Sequence, residues 1–233
     1  MTPPLLSTAY LPSVAYMAVL ARHDSVVIEQ KETFPKQTFR NRAAIATGNG
    51  VLMLNVPVVR PYGNHTRTEQ MTLSYNEPWN IRHWRAIVAA YSAAPYFLYY
   101  RDELEKILLQ RHECLLDLND ALLRYLLKKF KINCHITYTE TFTPPSDTPS
   151  PTDLRTCLTD KHTLLTDKHT LPHPNLNSQF SILNFHFPPY PQVFDTRFGF
   201  LPNLSAIDLL FNLGPEAKPL LLQTTLTSNK RLL

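Results

Sequence analysis

Residues Thr143 to Asp153 read TPPSDTPSPTD, four prolines in eleven positions with no large apolar side chain. Such a stretch buries too little surface to offset the entropy of ordering it. Any core must therefore be built from the residues on either side. The stretch runs into a duplication: Leu158–Leu164 (LTDKHTL) recurs word for word as Leu165–Leu171. Two copies of seven residues are too few for a solenoid, and the unit lacks the apolar pair of a coiled-coil heptad. It reads as an insertion in a tolerant surface loop. Residues 171–189 stay rich in Pro, His and Asn. The expected organisation is the N-terminal part of one domain over 1–142, a low-complexity mobile insertion over 143–187, and the C-terminal part of the same domain over 188–233.

The flanking parts carry clear periodicity. An extended segment lies within Pro4–Tyr10, and Ser13–Arg22 spaces Val14, Met17 and Leu20 as a helix does. Val26-Val27-Ile28 is β-branched and predicts a buried strand. Arg42–Thr47 and Val51–Val58 flank Gly48-Asn49-Gly50, a hairpin signal because the turn residues need positive φ. Three helices follow over Trp79–Ala93, Tyr96–Arg111 and Cys114–Phe130, the last with a leucine stripe from Leu115 to Leu127. Its early Asp117 and Asp120 and late Lys128 and Lys129 suit the helix dipole. Ile132–Tyr138 predicts another strand. Near the end, Ser205-x-x-Asp208 has the spacing of a capping box, and Gly214 is placed to close that helix. The fold class is α/β: a mixed sheet with packed helices.

With 233 residues, 44% of them hydrophobic, the chain can bury about 70% of its unfolded surface without disulfide or metal staples. No run approaches the ~20 apolar residues of a membrane-spanning helix, and the N-terminus lacks the basic and apolar regions of a secretion signal. Three cysteines without C-x-x-C spacing fit a reduced, cytoplasmic protein. A net charge of +4 is too small and scattered to imply a nucleic-acid partner.

The densest polar cluster is Lys36-Gln37-Thr38-Phe39-Arg40-Asn41-Arg42. Its cations could clamp a phosphate or carboxylate, since guanidinium pairs bidentately with planar anions. Equally, a charge run between two strands is commonly a solvated connection. Glu29 and Glu32 lie upstream as a general base or counter-charge. No glycine-rich phosphate loop can be drawn from five scattered glycines, so phosphate binding would rest on side chains. Histidines 162, 169, 173 and 186 lack ligand spacing, and no metal site is expected. Cys114 and Cys134 read as core residues rather than nucleophiles. Tyr190, Gln192 and Asn203 have no explanation in capping.

In order along the chain, Tyr10-Leu11-Pro12, Val27-Ile28-Glu29, the Lys36–Arg42 run, Asn49-Gly50 and Leu54-x-Val56-Pro57-Val58 resemble the WbqC-like family. So do His83-Trp84, Ala90-Tyr91, Pro95-Tyr96-Phe97, Leu118-Asn119, Tyr190-x-Gln192 and Pro202-Asn203-Leu204-Ser205-x-x-Asp208 through Gly214-Pro215. The likeness covers about residues 5–137 and 188–220 and is greatest to the Bacteroidetes-type branch. It implies a largely uncharacterised family with members in O-antigen clusters, for which transfer of glycine or a related group to surface polysaccharide has been suggested. The wider family opens His-Gln-Pro-x-Tyr-Leu-Pro-Trp, whereas this chain reads Leu6-Ser7-Thr8-Ala9-Tyr10-Leu11-Pro12-Ser13. A leading His acting as base would be absent here. On this reading Glu29 is the candidate catalytic base. The candidate substrate contacts are Tyr10, Lys36, Gln37, Arg40, Asn41, Arg42, Tyr190, Gln192, Asn203, Ser205 and Asp208. The ligand would be a nucleotide-linked or lipid-linked sugar, and no cofactor is specified. A non-catalytic binding or scaffold protein is the alternative.

Overall fold

A computed structural model describes residues 2–35, 38–144, 152–155, 158 and 183–228. Lys36, Gln37, Cys157 and the second LTDKHTL copy lie outside the described residues, as do all but Leu158 of the first.

The chain opens with β1 (Leu5–Ser7), α1 (Val14–Leu20) and β2 (Ser25–Glu29). The two strands pair in parallel, with Ser7 opposite Glu29. The β-branched run Val26–Ile28 supplies the central strand. On its other side it pairs in parallel with β7 (His135–Tyr138), giving the order β1-β2-β7. All three strands end at one edge, at Ser7, Glu29 and Tyr138, and open parallel sheets place ligands at that edge.

The predicted hairpin is β3 (Arg42–Thr47) and β4 (Gly50–Asn55), paired antiparallel with Thr47 opposite Gly50. Two short strands, β5 (Val58–Val59) and β6 (Thr72–Leu73), pair beyond it. Helices α2 (Trp79–Tyr91), α3 (Phe97–Leu109) and α4 (Leu115–Phe130) then stack in sequence. Along α4, Leu115, Leu118, Leu122, Leu123 and Leu126 are buried, as the leucine stripe requires.

Within the last residues of the span expected as insertion comes β8 (Leu183–His186), and beyond it the single turn α5 (Asp195–Phe198). Helices α6 (Ala206–Leu213) and α7 (Ala217–Gln223) follow, and then β9 (Thr225–Ser228), the antiparallel partner of β8. Gly214 closes α6 at φ +53°, and a Cβ there would meet the Tyr96 ring at 2.6 Å. Glycine is thus required twice over, by backbone and by space. Arg22 at the end of α1 donates to the carbonyls of Leu221, Leu222 and Thr224, tying the chain's end to its beginning.

Residues on both sides of the insertion share one core, from Leu6 and Tyr10 through Leu126 to Ile207 and Phe211. The architecture is α/β with parallel and antiparallel strands and packed helices, as the periodicity predicts. Within the span expected as insertion, Thr152, Leu154 and Leu158 join the domain on one side and β8 forms on the other. Leu5 N–H donates to Thr152 O, Leu154 N–H donates to Leu5 O, and Leu154 and Leu158 are buried. The reason is local: Asp-Leu-Arg-x-x-Leu supplies two leucines that the neighbouring prolines lack. No helix among the described residues is long and apolar enough to cross a membrane.

Candidate functional site

The loop after β1 and the turn before β3 meet at the carboxyl edge of the parallel sheet, where Tyr10 N–H donates to Phe39 O. Leu11, between them and α1, holds φ +41° although it is a buried leucine followed by proline. Both features disfavour that backbone region, so the surrounding structure must impose it.

Arg40 is 3% exposed and clamps Glu32 in two parallel bonds, Nε–Oε1 2.7 Å and Nη2–Oε2 3.0 Å, while Nη2 also meets Ser7 Oγ at 2.5 Å. Arg40 lies in the turn rather than in β3, so it does not share a strand face with Arg42. Arg42 begins β3, is half-buried, and donates from Nε to Asn55 Oδ1 at 3.0 Å. Asn41 donates to Val56 O at 2.9 Å and to Asn55 Oδ1 at 3.4 Å.

Glu29, the candidate base, is fully buried. Its oxygens accept from Thr139 Oγ1 (2.7 Å), Lys31 N (2.7 Å), Thr143 N (3.1 Å) and Arg155 Nη1 (3.4 Å). Arg155 also pairs with Asp153 at 2.6 Å. The carboxylate has four donors around it, and taking a proton from a ligand would require one of them to leave. Here Glu29 fastens the start of the insertion to the end of β2.

Tyr10 pairs through its hydroxyl with His83 Nδ1 at 2.9 Å. Trp79 stands edge-on to the Tyr10 ring, with centroids 6.5 Å apart, and Tyr75 lies against Trp79. Burial pushes His83 down to about 4, partly opposed by its hydrogen bond to the Asn55 backbone, so the ring is neutral at pH 7. Burial likewise drives the Tyr10 phenol well above its ordinary value. Asn119, from the apolar face of α4, donates to Thr8 Oγ1 (3.1 Å) and Arg40 O (2.8 Å).

On the segments that meet the Tyr10 loop, Thr38 Oγ1, Asn41 Oδ1, Asn119 Oδ1 and Trp79 Nε1 are buried with no hydrogen-bond partner among the described residues. Each such atom costs about 1–3 kcal/mol when it is left unsatisfied. They are three acceptors, one of them also a donor, and one indole donor. Arg42 and Asn55 lie at the more exposed margin of the same network.

The C-terminal candidates form a second network. Asp208 is fully buried and accepts from Tyr190 Oη at 2.7 Å and Gln192 Nε2 at 2.9 Å. Burial raises its pKa; Tyr190, Gln192 and Tyr91 oppose the shift. Gln192 also exchanges both of its amide bonds with the Leu201 backbone. Asn203, at φ +52°, accepts from Ala15 N at 3.0 Å and so caps α1. The expected capping box is not formed. The Ser205 hydroxyl is buried with no hydrogen-bond partner among the described residues, and the Asp208 carboxylate turns inward to Tyr190. The cause is Ser205's backbone, drawn into pairing with Ala44 O on β3.

Tyr10, Arg40, Asn41 and Arg42 thus fall at the sheet edge, and Tyr190, Gln192, Ser205 and Asp208 form a brace behind β3, with Asn203 at the α1 cap. Missed from sequence were Arg155, hidden in polar surroundings, and His83 and Trp79, the partners of the candidate Tyr10. A lone Asn on a leucine stripe was the available signal for Asn119. An apolar cavity of about 420 Å³ lies instead at the amino end of β1, beside Pro4, Val19 and Phe185, and no candidate residue lines it. No cluster of metal-ligating side chains occurs among the described residues.

Comparison with known proteins agrees with this distribution of motifs. An uncharacterized protein of Mycobacterium tuberculosis is 30% identical over 133 residues, which is 57% of this chain and 57% of that protein. No solved structure matches. The model of the WbqC-like protein family matches residues 8–219, spanning the sheet-edge network and the C-terminal brace alike. The chain belongs to the WbqC-like protein family.

Proposed function

We propose that the protein binds a sugar, carried on a nucleotide or a lipid, at the carboxyl edge of β1 and β2. We further propose that it acts in the cytoplasm as a transferase-like protein of surface-polysaccharide (O-antigen-type) biosynthesis, moving an aminoacyl (glycine) or acyl group onto that sugar. One observation carries the binding reading: Thr38, Asn41, Asn119 and Trp79 each bury a polar atom with no partner among the described residues, and each belongs to a segment that bonds or packs against the Tyr10 loop. A sugar offers several hydroxyls, each both donor and acceptor, and a C–H face suited to aromatic rings. Arg42, at the margin, is placed to hold the carrier's phosphate by charge-assisted hydrogen bonds. Arg40 is not available for that task, because Glu32 already compensates it.

The saturation of Glu29, and Leu6 in place of the family's leading His, favour a second reading in which the protein binds without turnover. Thermal shift with a panel of nucleotide sugars tests binding, and mass spectrometry of the sugar after incubation with an aminoacyl donor tests transfer. A bound sugar at 100 Kd stabilises by about 2.7 kcal/mol, and Arg42→Ala should abolish that gain. A panel that leaves the melting temperature unmoved would refute the site. Binding without a mass increase would decide for the second reading.

A further inference from the structure

Among the described residues no strand pairs with the outer edge of β4, the outer strand of the hairpin. Thr47 and Gly50 flank a two-residue turn, so they form the closing hydrogen-bonded pair, and alternate pairs along the ladder repeat it. Val56 N–H donating to Asn41 O continues that phase. On β3, Ala44 O accepts from Ser205 N and Ala46 N–H meets Tyr91 Oη, so their backbone groups face away from β4. By the same phase, Gly50, Leu52 and Leu54 bond to β3, while Val51, Met53 and Asn55 direct N–H and C=O outward. The Asn55 backbone is engaged by His83. Val51 and Met53 remain. Their side chains and that of Leu52 are 52%, 40% and 40% exposed, three apolar residues in a row.

We propose that β4 is a dimer interface, and that its occupant is β4 of a second copy, joined antiparallel across a two-fold axis through Leu52. In that register Val51 exchanges both backbone bonds with Met53 of the other copy, and Met53 with Val51, while Leu52 faces Leu52. The two outward-facing residues sit symmetrically about Leu52, so the strand is its own complement, as an isologous contact demands. Charge supports a self-partner. A two-fold axis brings each charged residue near it close to its own like-charged copy, and Gly50–Asn55 contains no Asp, Glu, Lys or Arg. On one face Val51 meets Met53, both beside Ala44 and Ala46; on the other, Leu52 meets Leu52 beside Ile45. Exposed edges are usually blunted by Lys, Pro or a bulge, and β4 has no Lys or Pro within its bounds. The dimer would be a four-stranded antiparallel sheet.

Sedimentation equilibrium of the full chain over a dilution series tests the proposal, together with hydrogen exchange read at single amides. The expected result is a reversible monomer–dimer equilibrium in which the Val51 and Met53 amides gain protection as concentration rises. Leu52 and Leu54, bonded to β3, should stay protected throughout. Leu52→Lys should sediment as a monomer, and mixing it with Leu52→Glu should restore dimer, because opposite charges then face one another. A monomer at every concentration would overturn the proposal, as would a Leu52→Lys dimer. So would Val51 and Met53 amides already protected in the monomer, which would mean that another part of the chain covers the edge. Should the Leu52 variants fail to fold, the wild-type exchange data still decide.

Discussion

Truncating Arg40 to alanine should be among the most destabilising single changes at the sheet edge. The Arg40 side chain is 3% exposed and that of Glu32 11%, and the pair is bidentate. Removing the guanidinium strands the Glu32 carboxylate in a site with little water, and breaking a buried pair in this way costs about 3–5 kcal/mol. Ser7 Oγ loses a partner as well. For a chain of this length each kcal/mol lowers the melting temperature by about 2–4 °C, so a fall on the order of 10 °C is expected. Urea unfolding is the assay, with the midpoint shifted and the slope unchanged. Arg40→Met combined with Glu32→Leu should recover much of the loss, because no charge is then left unpaired. Arg42→Ala is the control. Arg42 is half-buried and bonded to one exposed Asn55 oxygen, so its loss should cost less than about 1 kcal/mol. An Arg40→Ala cost as small as that of Arg42→Ala would refute the reasoning, and so would a double variant no more stable than the single one.

Three further outcomes are expected. His83 is held neutral down to about 4 against an ordinary 6.5, so its contribution to stability is present above pH 6.5 and is lost as pH falls towards 4. Melting curves of His83→Gln should lack that acid-side loss, which at most amounts to about 3 kcal/mol. Asp208 works in the opposite sense: its raised pKa gives a contribution present below the ordinary carboxylate range and lost as pH rises through the folded value. Asp208→Asn should therefore lose less stability than wild type on going from pH 4 to pH 8, and a parallel pair of pH profiles would count against it. Deleting 159–181 should leave the melting temperature nearly unchanged, whereas deleting 143–171 should lower it sharply. The longer deletion removes buried Leu154 and Leu158 and the Arg155 that faces Glu29; equal melting temperatures for the two would contradict this.

The fold was largely legible because its elements are local in origin. The β-branched run of β2, the Gly-Asn-Gly run of the hairpin and the leucine stripe of α4 each declare themselves within a few residues, although the turn is Gly48-Asn49 and the positive φ falls on Gly50, not on the turn pair. The site was legible only in part. That Glu32 rather than a ligand takes Arg40, and that Arg155 reaches Glu29 across 126 positions, depends on which strands the topology sets side by side. Periodicity carries no such information. Ser205-x-x-Asp208 misled for a related reason: the spacing suits a capping box, but pairing with β3 and a buried tyrosine claimed both residues first. Asn203 looked like a substrate contact because its partner, the start of α1, lies 188 residues away.

The central claim is that a sugar completes the polar atoms around Tyr10, and the indole N–H of Trp79 reports on it directly. The chain has two tryptophans, Trp79 and Trp84, and hence two indole resonances. Trp79 Nε1 is buried with no hydrogen-bond partner among the described residues. A sugar hydroxyl accepting from it should move that resonance and slow its exchange. In a titration with nucleotide sugar followed by nuclear magnetic resonance, the account predicts a saturable shift of the Trp79 indole signal with Trp84 unmoved, and loss of that shift in Asn119→Ala. A ligand that binds, by thermal shift, while the Trp79 signal stays in place would contradict it.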